Sequence, residues 1–176
     1  MAPRIVSIVG RKNSGKTTLV VALVSEFVRR GRRVMTLKHG HHPAEADRPG
    51  SDTWRHFHEG PAERTLIASP ELRVLFERTP DDYDPIGLAR RYLAEADLVI
   101  AEGFSRAPLP KVEVYRPSVA PTPIYDATAA NASDWLAIVT DDPVLRAGCP
   151  VLRFGDTAWL STLASLVWTG AREIGA

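Results

Sequence analysis

The segment from Gly10 to Thr17 reads Gly-Arg-Lys-Asn-Ser-Gly-Lys-Thr and matches the pattern G-x-x-x-x-G-K-[S/T] at every fixed position. It follows Ile5 to Val9, an apolar and largely β-branched run that is typical of a buried strand. It leads into Thr17 to Arg30, an amphipathic stretch ending just before Gly31, which is typical of a helix. Because the pattern lies between a predicted strand and a predicted helix, it predicts a phosphate-binding P loop rather than a chance glycine turn.

The fixed positions of this P loop suit a nucleoside triphosphate. Glycines let the backbone turn and bring its N–H groups close to phosphate oxygens, and the helix directs its positive end at the same anion. The Lys16 ammonium is expected to reach the β- and γ-phosphates, and the Thr17 hydroxyl is expected to ligate Mg²⁺. The predicted nucleotide-binding residues of this segment are Gly10, Asn13, Ser14, Gly15, Lys16, Thr17 and Thr18.

An acidic residue ends a second apolar strand. Leu98 to Ala101 reads as a buried strand and runs directly into Glu102. In P-loop proteins a carboxylate at the end of a neighbouring strand lies beside the metal and the γ-phosphate. We therefore assign Glu102 to the metal site and, with Lys16, to catalysis, either by holding a metal-bound water or by orienting an attacking water. The alternative is an ordinary solvated acid at a strand end.

A histidine-rich loop follows the predicted strand that ends at Lys38. The residues from Lys38 to His42 read Lys-His-Gly-His-His, with three histidines in four positions. A Ni²⁺ or Zn²⁺ site, exposed loop histidines, and basic groups facing a phosphate all fit this run. We include Lys38 and His39 among the nucleotide-binding residues. Farther on, Asp47 and Asp52 are candidate Mg²⁺ ligands, with turn and capping chemistry as the alternative, and Asp52 is a candidate cap for a short helix reaching about Glu59.

A candidate base-recognition site follows a late predicted strand, Leu136 to Val139, in the run Thr-Asp-Asp-Pro. The Asp141 carboxylate is a candidate acceptor for the N1 and N2 hydrogens of guanine. The alternative is that this acidic pair caps a helix ahead of Pro143. Since the chain lacks the Asn-Lys-x-Asp tetrad, the residues alone leave GTP and ATP both open.

Strands and helices alternate along the chain, which predicts an α/β, three-layer fold around a mostly parallel sheet. The first strand, helix and second strand predict a parallel strand pair joined by a right-handed crossover. A small β-hairpin insertion is predicted at Thr65 to Ala68 and Arg73 to Phe76. A last helix is predicted at Thr157 to Trp168, with Asp156 as its cap. We expect all 176 residues to form a single P-loop nucleotide-binding domain.

Composition narrows the function classes. Lys and Arg total 22 against 21 Asp and Glu, a net charge of +1, which argues against a broad nucleic-acid surface. No apolar run approaches the roughly 20 residues needed to cross a bilayer. Cys149 is the only cysteine, so the chain has no intramolecular disulfide and no four-cysteine metal site. We expect a cytoplasmic protein without nucleic-acid or membrane partners.

Five further segments follow the P loop in a specific order: Leu37 to His42, Asp47 to Thr53, Thr65 to Ser69, Val99 to Phe104, and Pro110 to Arg116. In this order they resemble the molybdopterin-guanine dinucleotide biosynthesis adapter proteins of the MobB type. The P loop alone is shared by many families, whereas the series Lys-His-x-His-His, Pro-Gly-x-Asp and Glu-Gly-Phe is much more specific. The resemblance covers most of the chain.

The resemblance implies a GTP-binding fold, Mg²⁺–GTP as ligand, weak GTPase activity and a homodimer. It further implies that the chain assists molybdopterin guanylyltransferase, which joins GMP to the molybdopterin cofactor. Two departures stand out. Ser51 occupies the place of a usual Lys in Pro-Gly-Lys-Asp, and Glu59-Gly60-Pro61 stands where the family has Ala-Gly-Ala.

Three other functions remain open. A metal-insertion GTPase for nickel or cobalt requires metal binding by the histidine loop. A small-molecule kinase requires a lid, and no cluster of arginines typical of one is evident in the sequence. A binding module would hold the nucleotide without hydrolysing it. The sequence contains no clear arginine finger, so turnover is expected to be slow, with Arg11 and Lys12 as candidates to act across a dimer.

Overall fold

The computed structural model describes residues 2–40, 47–79 and 84–175. It divides into two compact units, one formed by Met1–His39 with Asp84–Ala176 and the other by Gly40–Tyr83. The first unit contains the P loop and a large sheet. The expectation of a single domain over the whole chain stays a prediction. None of the described helices is both long and apolar enough to span a bilayer.

The elements of the first unit are, in chain order, β1 (Arg4–Val9), α1 (Lys16–Arg29), β2 (Val34–Lys38), α3 (Pro85–Tyr92), β5 (Leu98–Glu102), β6 (Lys111–Tyr115), β7 (Trp135–Thr140), β8 (Val151–Arg153), α4 (Trp159–Gly170) and β9 (Arg172–Glu173). The second unit contributes α2 (Asp52–His58), β3 (Arg64–Ala68) and β4 (Arg73–Glu77).

The large sheet has the strand order β2-β5-β1-β6-β7-β8. All of these neighbours pair in parallel, and only β9 runs antiparallel, against β1. Alternate residues of a strand point to opposite faces. On one face Val6 and Ile8 pack with α1 and α4, and on the other Ile5 packs with Ala89 of α3. This arrangement confirms the predicted three-layer α/β fold with a mostly parallel sheet.

Strand β6 buries two charged side chains, one bonded to the segment before the strand and the other to the long loop after it. Lys111 Nζ donates to two backbone carbonyls at 2.8 and 2.9 Å. The Glu113 carboxylate accepts the N–H groups of Ile124 and Tyr125 at 2.7 and 3.0 Å. Burial lowers the pKa of Lys111 and raises the pKa of Glu113. The two Glu113 bonds attach the following loop to β6, whose end adjoins the P loop.

Strands β1 and β2 are parallel, as expected, but they do not pair with each other. Strand β5 lies between them and pairs with both. The prediction of an adjacent pair is therefore wrong. A crossover connection fixes only the direction of the second strand, so a later strand is free to insert between the two.

Two of the predicted helix caps are also wrong. Ser51, not Asp52, caps α2, because Ser51 is extended and its Oγ accepts the Trp54 N–H at 3.1 Å. Asp52 is instead the first helical residue. Helix α4 begins at Trp159, two residues later than predicted, and Ala158 at its cap position makes no side-chain bond. Asp156 lies too far ahead of that start to cap it.

The second unit contains the predicted hairpin. Strands β3 and β4 pair antiparallel, with Arg64 opposite Glu77 and Ala68 opposite Arg73. Ahead of α2, the Asp47 carboxylate accepts the Arg48 N–H and the hydroxyls of Ser51 and Thr53. These bonds lower the pKa of Asp47, the Thr53 hydroxyl contributing most.

Candidate functional site

The turn between β1 and α1 adopts backbone conformations that favour glycine. Gly10 has φ 151°, Asn13 φ 64° and Gly15 φ 100°. A Cβ atom on Gly10 would lie 2.5 Å from the Val114 carbonyl oxygen and 2.6 Å from Ser14 Oγ. Position 10 therefore has to be glycine for a reason beyond phosphate binding, because β6 packs directly against the loop.

The start of α1 has neither a side-chain cap nor an acidic residue of its own. Gly15 at the N-cap makes no side-chain cap bond, and the first turn contains no acidic residue. Ser14 is buried, and its Oγ has no hydrogen-bond partner among the described residues. Backbone N–H groups at a helix start attract anions. The turn thus has the donors that a phosphate group requires.

Lys16 folds back along the loop, where its Nζ donates to the Arg11 carbonyl at 2.9 Å. Burial lowers the pKa of Lys16, the charge of Lys38 lowers it further, and the charge of Glu102 opposes both. A lysine whose ammonium is partly desolvated gains stabilisation from any anion placed beside it. Lys16 is therefore suited to bind a phosphate.

The Glu102 carboxylate contacts two other predicted site residues, Thr17 and Lys38. Thr17 Oγ1 lies 3.0 Å from each oxygen of the Glu102 carboxylate. Lys38 Nζ lies 3.4 Å from Glu102 Oε1. In the sheet, Glu102 pairs with Ile8 on one side and with Lys38 on the other. A threonine hydroxyl beside a carboxylate is a donor set of the oxygen type that Mg²⁺ prefers.

The turn after Glu102 packs against His39. The His39 N–H donates to the Glu102 carbonyl at 3.0 Å, and its ring lies 5.0 Å from the Phe104 ring between centroids. Gly103 and Phe104 have φ values of 94° and 54°. A Cβ atom on Gly103 would come within 3.1 Å of His39 Cβ. These contacts explain why the run Glu-Gly-Phe requires its glycine.

The histidine-loop hypothesis falls largely outside the described residues, because both His41 and His42 do. Within the parts of the chain that the structure describes, no group of three His, Cys, Asp or Glu side chains is arranged to hold a metal ion. Asp52 belongs to the second unit, as the first residue of α2. The metal roles of Asp47, of Asp52 and of the histidines stay predictions.

Two further predicted nucleotide-binding residues, Asn13 and Thr18, are exposed.

The acidic pair after β7 divides its roles. The Asp142 carboxylate accepts the N–H groups of Val144 and Leu145 at 2.9 and 3.2 Å, and so closes a turn. Asp141 instead forms an ion pair with Arg116 and is 45% exposed. The capping interpretation thus applies to Asp142 and to a turn rather than a helix. Asp141 keeps an accessible carboxylate, so its role in base recognition stays a prediction.

Sequence reasoning assigned no role to Arg116. The structure places it at the end of β6, where its Nε donates to the Ser14 carbonyl of the P loop at 3.0 Å. The signal available in the sequence was weak. A basic residue directly follows a predicted strand at the edge where the P loop and Glu102 were also expected.

A parallel sheet with helices on both faces, whose first strand enters a helix through this turn, is a P-loop NTPase-like fold. The family model named MobB, Molybdopterin guanine dinucleotide synthesis protein B, matches residues 5–141. The chain belongs to this family.

Individual relatives agree with this assignment. The chain is 33% identical over 147 residues to the molybdopterin-guanine dinucleotide biosynthesis adapter protein of Haemophilus influenzae, covering 80% of this chain and 76% of that protein. It is 34% identical over 106 residues to the protein of the same name from Escherichia coli, covering 58% of this chain and 60% of the relative.

Solved structures show the same fold. The MobB protein homolog from Bacillus stearothermophilus superimposes with a TM-score of 0.65 at 25% identity, covering 94% of this chain and 98% of the homolog. Bacillus subtilis MobB gives a TM-score of 0.66 at 23% identity, covering 93% and 97%. These matches confirm the predicted fold class.

Proposed function

We propose that this chain binds Mg²⁺–GTP in its P loop, hydrolyses it slowly and acts as an adapter for the guanylyltransferase that joins GMP to molybdopterin. The observation that carries the nucleotide part is the Thr17 hydroxyl, 3.0 Å from both oxygens of Glu102 at the start of α1. The names of the curated relatives, which are molybdopterin-guanine dinucleotide biosynthesis adapter proteins, support the pathway.

The residues fit the proposed ligand. Thr17 and Glu102 supply hydroxyl and carboxylate oxygens for Mg²⁺, directly or through water. The cation would neutralise charge on the phosphates during their transfer. Lys16 binds phosphate oxygens and stabilises the negative charge that develops on them. Glu102 also accepts a hydrogen bond from the water that attacks, which orients that water.

We expect slow turnover because the sequence contains no clear arginine finger. Arg11 and Lys12 are exposed, and neither is a fixed position of the P-loop pattern. We propose a homodimer in which they approach the nucleotide of the partner subunit. Replacing both with Ala should then lower turnover in the dimer without changing nucleotide affinity. Unchanged turnover in a dimeric double variant would rule out this part.

The adapter role requires a nucleotide-dependent contact with the guanylyltransferase. We place this contact in the cytoplasm, where both proteins would act on the molybdopterin cofactor. A pull-down with purified guanylyltransferase should recover more enzyme with Mg²⁺–GTP than with Mg²⁺ alone. Equal recovery in both conditions would leave nucleotide binding in place but remove nucleotide control of the contact.

Calorimetry of GTP and ATP with Mg²⁺ tests the nucleotide part directly. The wild type should prefer GTP, and Lys16→Ala should lose binding because the phosphates lose their main cation. Arg29→Ala is the matched control, since Arg29 is an exposed cation at the opposite end of α1, paired with Glu26. Equal binding of GTP and ATP would contradict the proposal and would favour the alternative of a small-molecule kinase.

A further inference from the structure

Arg116 joins three elements at the edge of the sheet where the strands end. Its Nε donates to the Ser14 carbonyl at 3.0 Å, and its Nη1 pairs with Asp141 Oδ2. Its guanidinium carbon lies 4.5 Å from the centre of the Phe154 ring. One side chain thus links the P loop to the residue that follows β7 and to the residue that follows β8.

This combination of contacts requires arginine. A guanidinium is planar, so it donates within its plane to two separate acceptors while its face stacks on an aromatic ring. A lysine ammonium is a single point and cannot hold both acceptors in one geometry while stacking. The Arg116 side chain is 33% exposed, and an exposed ion pair contributes only about 0–1 kcal/mol to stability. The contribution of this ion pair to fold stability is therefore too small to explain the three contacts of Arg116.

The geometry points to Arg116 as a positioning residue that fixes the Asp141 carboxylate for guanine recognition and ties it to the P loop. This inference rests on the proposed function, because it names how that site would select its base. A guanine base presents its N1–H and N2–H donors side by side, and a carboxylate accepts both when its plane is held. Among the described residues, only Oδ2 of Asp141 is hydrogen-bonded, so Oδ1 and the remaining lone pair of Oδ2 can accept from the base.

The chain lacks the Asn-Lys-x-Asp tetrad for guanine recognition, so the Asp141 carboxylate needs another residue to hold it in place. Among the described residues of the loop after β7, none is hydrogen-bonded to the Asp141 carboxylate. Arg116 supplies the restraint from the adjacent strand β6. Because Nε of the same guanidinium bonds the Ser14 carbonyl, one rigid planar group sets the distance between the base acceptor and the phosphate loop. A ligand with both a guanine base and a triphosphate can then bind Asp141 through its base and the P loop through its phosphates at the same time.

The test compares four ligands by calorimetry with Mg²⁺. GTP has both donors, ITP lacks the 2-amino group, ATP lacks both the N1–H and the 2-amino donors, and tripolyphosphate lacks the base. The variants are Arg116→Ala, Arg116→Lys and Asp141→Asn. Arg146→Ala serves as the matched control, because among the described residues its guanidinium bonds only carbonyls of its own turn, those of Val144 and Leu145. Circular dichroism establishes that each variant is folded, and Arg116→Lys keeps the test available if the alanine variant does not fold.

We expect Arg116→Ala to lower the ratio of GTP to ITP affinity about tenfold, the usual size for losing a hydrogen bond to a charged group. Tripolyphosphate affinity should change much less, and Arg116→Lys should restore the ratio only in part. Asp141→Asn should also lower the ratio, while Arg146→Ala should leave it unchanged. A merely structural role for Arg116 would reduce affinity for GTP, ITP and tripolyphosphate by the same factor.

Failures of the two proposals are distinguishable. A wild type that does not prefer GTP over ITP and ATP contradicts guanine recognition itself, and with it this inference. A wild type that prefers GTP, with the preference lost in Asp141→Asn but kept in both Arg116 variants, overturns the inference and leaves the proposed function intact. Equal losses for GTP and tripolyphosphate in Arg116→Ala also overturn it, because Arg116 would then support only the P loop.

Discussion

Replacing Gly10 with Ala tests whether the P loop is held in shape by its packing on β6. The new Cβ would lie 2.5 Å from the Val114 carbonyl oxygen and 2.6 Å from Ser14 Oγ, in a backbone with φ 151°. A side chain in such a conformation costs about 1–3 kcal/mol. Overpacking against a backbone atom that cannot rotate away costs about 1–3 kcal/mol more. The expected loss of unfolding free energy is therefore about 2–6 kcal/mol.

Two other glycines separate these contributions. Gly31 has φ 73° with no atom within 4 Å of an added Cβ, so Gly31→Ala should show the backbone strain alone, about 1–2 kcal/mol. Gly155 has no neighbour within 4 Å and no positive φ. Gly155→Ala should therefore be neutral or stabilise by about 0.4–1 kcal/mol, since alanine lowers the entropy of the unfolded chain.

Urea unfolding followed by circular dichroism measures all three variants. The midpoint should fall in the order Gly155→Ala, Gly31→Ala, Gly10→Ala, while the denaturant slope stays constant if only stability changes. Gly10→Ala should also bind nucleotide more weakly, because β6 and the loop must separate. If Gly10→Ala is no less stable than Gly31→Ala, the contact with Val114 does not constrain the loop and the reasoning is refuted.

Three further changes have defined outcomes. Thr17→Val should weaken Mg²⁺-dependent nucleotide binding at least tenfold, which corresponds to about 1.4 kcal/mol, because it removes the hydroxyl beside Glu102. Thr17→Ser keeps the hydroxyl and should retain binding. Calorimetry with Mg²⁺ and with EDTA compares the two variants. The pKa of Asp47 is lowered from 3.8, chiefly by the Thr53 hydroxyl, so its contribution to stability is present above that pH and is lost as the pH falls through the lowered pKa. Asp47→Asn should make acid unfolding, followed by circular dichroism, less steep, and an unchanged acid limb would contradict this. Phe27 is 1% exposed, so Phe27→Ala should cost about 3–5 kcal/mol in urea unfolding, and a loss under about 1 kcal/mol would mean that the site collapses without a cavity.

Most features that could be predicted from the sequence are recognised from short local patterns. The P loop and the strand ending at Glu102 are each contained in fewer than ten consecutive residues, so their identity depends on neighbours along the chain. The Arg116 bond to Ser14 spans 102 positions of sequence, and no periodicity reports such a contact. Strand β9 is only two residues long and both are charged, so it has no apolar pattern to reveal it.

Cap assignments failed for a different reason. Ser51 and Asp52 are adjacent, and both types favour the N-cap position. The choice depends on which residue is extended, and the bonds of Ser51 with Asp47 and Trp54 decide it. Sequence identifies the start of such a helix to within a residue or two, while the tertiary hydrogen bonds select the cap.

The strand order of the sheet explains how Glu102, Lys38 and Thr17 come to lie together. Neighbouring strands lie about 4.8 Å apart, so residues two strands apart are separated by about 10 Å. Because β5 lies between β1 and β2, Glu102 ends directly beside Lys38, and the helix after β1 brings Thr17 to the same carboxylate. If β2 paired with β1, as the sequence order of the elements predicts, Lys38 would lie next to β1 and Glu102 would lose this position. In the observed order one carboxylate is flanked by the ammonium groups of Lys16 and Lys38, which leaves a local excess of positive charge facing the start of α1. An anionic ligand that brings its own cation would therefore enter a site where both charges find partners.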